Sequence, residues 1–299
     1  KGPINQSVSY IGSTGTQSYG YWAGGGMPDV STISRVDYAS DTGTASPKGP
    51  LSAARRGQGA TGNASYAYFA GGSGGSPWVS SIDRLDYASD TSTASPKGNR
   101  SGQRFVGQGG TGDQSYGYNA GGGTPMSSIM DRIDYSNDTA TAATKGPLSA
   151  QRNLAGAISS RDYATPTTSS TSKTVDEGAH GYTTYSGGPS MGYATGSGTY
   201  VQRIDYANDT ATAPTKGPLS AIASYHSAVS STTHGYTFGG PPGPGNSRLQ
   251  RIDYSNDTAT APTVANLAQP VYRTYSGMGN KTYGYQSGGQ RPSTTGTSN

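Results

Sequence analysis

Arg35-Val36-Asp37-Tyr38-Ala39-Ser40-Asp41-Thr42 is the stretch whose reading decides the fold. Its core returns as Arg84-Leu85-Asp86-Tyr87, Arg132-Ile133-Asp134-Tyr135, Arg203-Ile204-Asp205-Tyr206 and Arg251-Ile252-Asp253-Tyr254, each running on into Asp-Thr and a short Thr-Ala stretch. A block that recurs in this way makes the chain an array of similar units rather than one irregular domain. Along the first copy, Ile33, Arg35 and Asp37 share one strand parity while Val36 and Tyr38 take the other. Apolar side chains therefore leave from both faces. That suits a sheet stacked between two others, as in a propeller blade, better than a sheet with one wet face.

Working outward, a Tyr-rich strand ended by a Gly-Gly pair precedes the block. The first Gly of each pair stands at Gly24, Gly71, Gly121, Gly187, Gly239 and Gly288, with successive spacings of 47, 50, 66, 52 and 49 residues. After the block comes Lys-Gly-Pro-Leu-Ser, beginning at Lys48, Lys145 and Lys216, with variants at Lys1 and Lys97. One unit then reads as four strands: Val8 to Ser13, Tyr19 to Ala23, Ile33 to Tyr38 and Thr42 to Ser46. β-Branched and aromatic residues fill these runs, Gly, Pro, Asn and Asp punctuate them, and no stretch sustains a helical period. The expected fold is an all-β propeller of about six four-stranded blades. Its units are about 1–47, 48–96, 97–144, 145–215, 216–262 and a partial 263–299.

Two units depart from the pattern. Unit four carries an extra Ser/Thr-rich segment near Arg161 to Gly178, expected to loop out between its first and second strands. The last unit stops after its Gly-Gly pair, without third and fourth strands, and the rest trails off from Gln290 to Asn299 in Pro, Ser, Thr and Gly. The outer edge of its Tyr283 to Ser287 strand is expected to be covered by another chain or by the tail folding back, because unpaired backbone groups at a sheet edge seek partners. The chain opens on Lys1 rather than Met, which reads as a processed product or part of a longer polypeptide.

The apolar or aromatic strand, the Gly-Gly pair, the strand ending near Asp, and Leu51-Ser52-Ala53-Ala54-Arg55 or Leu148-Ser149-Ala150-Gln151-Arg152 together resemble the kelch repeat. The resemblance implies four-stranded blades around a central channel. The chain departs from kelch units in its fourth strand, where Thr44, Thr93, Thr141, Thr212 and Thr260 lie in the region that usually carries Trp. The Arg-Ile-Asp-Tyr and Asn-Asp-Thr-Ala-Thr-Ala wording also resembles repeats in virion structural proteins of marine bacteriophages.

Composition narrows the function. The chain has 47 Gly, 18 Pro and 23 Tyr but 3 Phe, and 13% of its residues are charged. Low hydrophobicity can mean disorder, but disordered chains lack aromatics, whereas here Tyr recurs at fixed places. The net charge of +4 is scattered, so no nucleic-acid footprint or membrane patch is expected, and no apolar run is long enough to insert in a membrane. With no Cys, disulfides and thiolate metal sites are excluded.

The chemical motifs read as scaffold. Gly57 to Gly62 and Gly107 to Gly112 fit G-x-G-x-x-G, yet no helix follows either, and both fall where the innermost strand is expected. Gly71 to Gly75 and Gly188 to Gly192 fit G-x-S-x-G without a nucleophile elbow around them. His180, His226 and His234 form no ligand pair, and strand-edge packing is the expected role of His180 and His234, which lie just before equivalent Tyr-strands. Asp37 and Asp41 could suggest calcium, but the favoured reading makes Asp41 a turn cap and Asp37 the partner of a nearby Arg. Asn137-Asp138-Thr139, Asn208-Asp209-Thr210 and Asn256-Asp257-Thr258 are glycosylation sequons. No catalytic, cofactor or metal residues are therefore assigned.

Variation between units is more informative. Three before the Gly-Gly pair stand Tyr21, Tyr68, Tyr118, Thr184, Tyr236 and Tyr285, nearly constant as blade packing requires. Two before stand Trp22, Phe69, Asn119, Tyr185, Thr237 and Gln286, and the loops that follow vary as well. Trp22, Phe69, Trp78, Tyr185 and Tyr193 are the candidate ligand- or partner-binding residues, since exposed aromatics can stack on sugars or fill a partner's pocket. The expected function is a non-enzymatic structural or adhesive propeller of a virion or extracellular assembly, presenting loops to assembly proteins, a host-surface glycan or neighbouring subunits. The alternatives are a soluble lectin-like propeller and, last, a kelch-type enzyme. Copper oxidases of that type use a Tyr crosslinked to Cys, which this chain lacks.

Overall fold

The computed structural model describes residues 1–6, 8, 10–26, 28–75, 78–104, 109–123, 126–151, 156–161, 176–180, 186–187, 191–195, 198–222, 226–231, 233–238, 246–271, 277–279 and 283–286. The first sheet joins β1 (Gly12–Gly15), β2 (Tyr19–Ala23), β3 (Ile33–Asp37) and β4 (Ser46–Lys48) in chain order, all antiparallel. The second joins β5 (Gly59–Gly62), β6 (Tyr66–Ala70), β7 (Ser81–Asp86) and β8 (Ser95–Asn99), and the third β9 (Gly109–Gly112), β10 (Tyr116–Ala120), β11 (Met130–Asp134) and β12 (Ala143–Lys145). Unit four is split: β13 (Gly156–Arg161), β14 (Asp176–His180) and β15 (Ser186–Gly187) form one sheet, and β16 (Met191–Thr195) pairs with β17 (Val201–Asp205) in another. A fourth complete sheet joins β18 (Ser227–Ser230), β19 (His234–Phe238), β20 (Asn246–Asp253) and β21 (Thr263–Val271), and β22 (Gly277–Gly279) pairs with β23 (Gly284–Gln286).

The protein is an all-β propeller, and its only helices among the described residues are five single 3-10 turns. Among the described residues four four-stranded blades are complete, rather than about six. The difference arises where the repeat itself is irregular, in the enlarged unit four and in the last unit with its missing block. Register corrects the alignment of unit four. Tyr21 pairs with Arg35, Tyr68 with Arg84 and Tyr118 with Arg132, and the residue in this place before Arg203 is Tyr193. The strand of this unit that pairs with the Arg203 strand is therefore Met191–Thr195, while residues 181–185 of the run before Gly187 lie outside the described residues. In a chain so rich in Gly, a Gly-Gly pair is a weak anchor, whereas the pairing to Arg is set by the ladder. The insertion expected to loop out near Arg161 to Gly178 lies mostly outside the described residues.

The strand ends also move. The first strand begins at Gly12 rather than Val8, and the fourth is Ser46–Lys48 rather than Thr42 to Ser46. Asp37 caps a 3-10 turn over Tyr38–Ser40, its carboxylate accepting from the amide of Ala39 at 2.9 Å, and this turn displaces the fourth strand along the chain. Pro47 and Pro96 are tolerated in β4 and β8 because those are outer, edge strands.

Blades meet face to face through separate apolar clusters. Tyr21, Ile33 and Leu51 pack on Phe69 and Leu85, Tyr68 and Ile82 on Ile133 and Tyr135, and Val201 and Leu219 on Ile252. Burying each such large side chain contributes about 2 kcal/mol. The cluster of Ile11, Trp22 and Val36 packs against Val229 and Phe238 and the half-buried Tyr285, so the last units return to the first blade. Near the axis the inner strands are small-residue strands for a steric reason: a Cβ on Gly110 would come within 2.2 Å of the carbonyl oxygen of Ala60. β13 approaches β1, β5, β9, β18 and β22 within 8 Å between Cα atoms, so it lies among the inner strands.

The Lys-Gly-Pro block is a clasp on the next blade. Gly49 donates its amide to the Asp90 carbonyl, Gly98 to that of Asp138, Gly146 to that of Asp209 and Gly217 to that of Asp257, at 2.7–2.8 Å. Gly2 makes the same bond to Asp41 at 2.8 Å. In return Ala94 donates to Pro50, Ala213 to Pro147 and Ala261 to Pro218. The Gly is required by close approach: a Cβ on Gly98 would meet the Ala140 carbonyl oxygen at 1.9 Å.

Candidate ligand-binding surface

Most repeated charges are consumed between blades. Tyr21 donates its hydroxyl to Asp90 Oδ2 at 2.9 Å, Arg35 Nη1 reaches the same oxygen at 2.7 Å, and Lys48 Nζ reaches Oδ1 at 3.2 Å. Tyr68, Arg84 and Lys97 converge likewise on Asp138, and Tyr118, Arg132 and Lys145 on Asp209. Arg203 and Lys216 meet on Asp257. Asp41 receives Tyr285 at 2.8 Å and Lys1 at 2.9 Å. At the nodes of Asp41, Asp90, Asp138 and Asp209 two tyrosines also stack across the junction, such as Tyr68 on Tyr135 at 4.7 Å and Tyr38 on Tyr285 at 5.2 Å between ring centroids. Burial, reinforced by the Asp90 carboxylate, holds the Tyr21 phenol protonated well above its ordinary range, and burial with Asp41 pushes Tyr285 up to about 12. These tyrosines are donors, not acids. The expected roles of the two aspartates are reversed: Asp37 caps its turn, and the residue in the place of Asp41 takes the Arg of the preceding blade. The carboxylate just before the 3-10 turn is within reach of that turn's free amides, while the one just after it faces the neighbouring sheet.

A second set of polar groups anchors the connections between blades. Asp83, fully buried, accepts from the amide and hydroxyl of Ser52 at 2.8 Å and pairs with Arg55 Nη2 at 2.6 Å. Gln250 takes the same place for Ser220 and Ala221. The third blade differs. Its clasp reads Lys97-Gly98-Asn99-Arg100, with Arg100 where Leu51, Leu148 and Leu219 stand in the others. Arg100 Nε lies 3.2 Å from Asp131 Oδ2, and Arg104 Nη2 pairs with the same oxygen. Arg100 and Asp131 are fully buried and Arg104 nearly so. Burial and then the like charge of Arg104 pull the Arg100 guanidinium down to about 9, against the pull of Asp131. Neither Nη of Arg100 has a hydrogen-bond partner among the described residues.

Beside this cluster opens a cavity of about 400 Å³. Trp78, from the loop after the second Gly-Gly pair, forms one wall. Gln103 and Arg104 come from the connection into blade three, Met126 and Ile129 from the loop between β10 and β11, and Gln151 from the next connection. Met126 is 48% and Ile129 38% exposed, so the lining carries apolar surface open to solvent. Among the described residues that line it there is no acid.

Of the candidates named from sequence, Trp78 is the one that lines this cavity. Trp22 and Phe69 are corrected: they are 7% and 0% exposed and belong to the clusters between blades, their strand parity turning them inward. Tyr193 takes its place in β16 opposite Arg203, and Tyr185 lies outside the described residues. Arg104, Met126 and Ile129 were missed, although the departure of Lys97-Gly98-Asn99-Arg100 from the common clasp marked this junction as different. Gly59–Gly62 and Gly109–Gly112, from the two G-x-G-x-x-G stretches, are inner strands. Among the described residues no helix is long and apolar enough to cross a membrane, and no three His, Asp or Glu side chains converge as metal ligands would. No protein-family model matches the chain, and no curated protein matches it.

Proposed function

We propose that this chain is a non-enzymatic binding propeller, serving as a structural or adhesive part of a virion or extracellular assembly. It presents the loops that follow its second strands to a glycan or to a neighbouring protein. One observation carries this reading: the described residues that line the cavity beside Trp78 come from those loops and the connections between blades, where units differ, while residues that units share are spent in the nodes. Concave apolar surface with a few polar groups is what a saccharide or a partner's side chain requires.

The same proposal includes a ring of six kelch-like positions. The node motif supports it, since Tyr285 and Lys1 meet Asp41 as Tyr68 and Lys97 meet Asp138. In this arrangement β22 and β23 are the inner strands of a sixth blade, and its outer edge is completed by the tail or by another assembly protein. Immobilised glycans and candidate assembly partners test the function: the protein is expected to be retained and Trp78→Ala to lose retention by about tenfold or more. Equal retention of the variant would place binding elsewhere and defeat the reading.

A further inference from the structure

Two junctions depart from the rule of the interblade nodes, in complementary ways. By that rule a Tyr and an Arg, paired across the second and third strands of one blade, reach the aspartate after the 3-10 turn of the next. Tyr21 and Arg35 meet Asp90 in this way, and Tyr68 and Arg84 meet Asp138. The corresponding pair of the fifth unit, Tyr236 and Arg251, makes no ion pair or side-chain hydrogen bond among the described residues. Residues 258–299 contain no Asp or Glu to supply a carboxylate side chain. At Asp41 the departure is the opposite one: it receives Tyr285 and Lys1, but no Arg among the described residues. One junction thus offers a guanidinium without its acid, and the other an acid without its guanidinium. Exposure points to the same place. Gly284 in β23 is exposed, whereas Gly20, Ala67 and Gly117, which each pair with a third strand, are buried. Tyr236 and Leu249 are half-buried, where Tyr68 is 0% and Ile82 1% exposed.

We infer that the outer edge of β23 binds a strand and turn of a partner polypeptide carrying a sixth copy of the Arg-x-Asp-Tyr-x-x-Asp block. In this block the Arg reaches the next blade and the last Asp receives the preceding one, as Arg84 meets Asp138 while Asp90 takes Arg35. Laid antiparallel on β23 with its Arg opposite Tyr285, one copy brings its guanidinium to Asp41 and its last carboxylate to Tyr236 and Arg251. Its apolar residue, opposite Gly284, covers the half-buried face of the fifth unit. Its backbone pairs with the strand edge, the usual source of affinity when a strand is added to a sheet. A second copy of this chain is a poor donor, because each of its five blocks is built into its own unit. This assignment rests on the six-position ring proposed above and names the chemistry of the segment that completes it.

The test is titration calorimetry of the whole chain with a synthetic peptide copying residues 200–215, which contain Arg203, Asp205, Tyr206 and Asp209. The peptide is expected to bind one to one, and Ala in place of Arg203 or of Asp209 should each weaken it about tenfold. In the protein, Arg251→Ala removes a side chain that makes no ion pair and should keep its melting temperature. It should weaken the unaltered peptide to the same degree, with no further loss when the peptide also lacks Asp209, as two partners in one contact require. Asp41→Asn should likewise cancel the effect of removing Arg203. Binding that ignores these changes would overturn the recognition by charge and leave an open edge in place. Losses that add in full would overturn the pairing of Arg251 with the last Asp. No binding of the unaltered peptide, with the protein a monomer by light scattering, would overturn both this assignment and the open sixth position. A dimer that excludes the peptide would give the place to a second copy and overturn the partner named here.

Discussion

Aspartate performs two tasks in this chain, and they differ in energetic weight. Asp138 gathers a phenol, a guanidinium and an ammonium from the preceding blade, whereas Asp134 accepts from the amide and hydroxyl of Ser136 at the mouth of its own turn. Asp138→Ala leaves three donors without their acceptor and is expected to lower unfolding free energy by about 3 kcal/mol. Asp134→Ala removes a cap and is expected to cost about 1 kcal/mol. Urea unfolding of the two variants checks the order, and the reverse order would return the roles to those read from sequence. That reading found both residues but exchanged them, because a strand's parity shows which face a side chain leaves from and not which of two nearby amides or cations it meets. His226 gives a pH dependence. It is fully buried, and burial pulls its pKa down to about 3. The unfolded chain therefore takes up a proton near pH 6.5 that the folded chain refuses, so stability is whole above that pH and declines as pH falls toward 3. Melting temperature should already fall between pH 6.5 and 4.5, before the carboxylates titrate. His226→Gln, copying Gln58 at the equivalent place in blade two, should flatten that interval.

At the scale of the element, the legible features were those held by the ladder. β2, β6 and β10 fall where the tyrosines placed them, because alternation and the Gly-Gly stop both mark a strand. The fourth strand was misplaced by a turn whose signal, Asp followed by Tyr-Ala-Ser or Tyr-Ser-Asn, is also good strand sequence. The clasp could not be read as a clasp at all, since its meaning lies in a backbone approach between successive units. The cavity was half legible: Trp78 stood out by type, whereas Arg104 and Met126 gain significance only once three separate connections are brought together. The clasp makes a sharp prediction. Gly98→Ala drives a methyl group into the Ala140 carbonyl and should cost about 1–3 kcal/mol, in contrast to Gly75→Ala, where the added methyl meets no atom within 4 Å and only backbone strain opposes it. Thermal melts of the pair separate crowding from strain, and equal losses would mean that the clasp yields.

For the molecule as a whole, the Asp41 node stands apart from the others. Four interblade nodes receive an Arg from the blade before, at Asp90, Asp138, Asp209 and Asp257, whereas at Asp41 the donors among the described residues are Tyr285 and Lys1. A peptide copying residues 130–138, with its Arg-Ile-Asp-Tyr block, carries the missing group. Added in excess it is expected to raise the melting temperature by a few degrees through mass action, while the version with Ala for Arg should not. No shift with either peptide would mean that this place is already filled.

The meeting of Lys1 and Tyr285 on one carboxylate has a mechanical consequence. The four blades and their connections are held to one another by covalent chain as well as by packing, but this seam is closed by side-chain and backbone hydrogen bonds, a stacked ring pair and apolar contact. Tension applied through the segment at Lys1 peels the clasp of Gly2 and Pro3 from the first blade one bond at a time. Tension applied through β23 strips the same carboxylate from the other side. A propeller built this way and pulled from either end yields first at its seam, at low force, while the remaining junctions stay zipped, and so dissipates a sudden pull before its blades come apart.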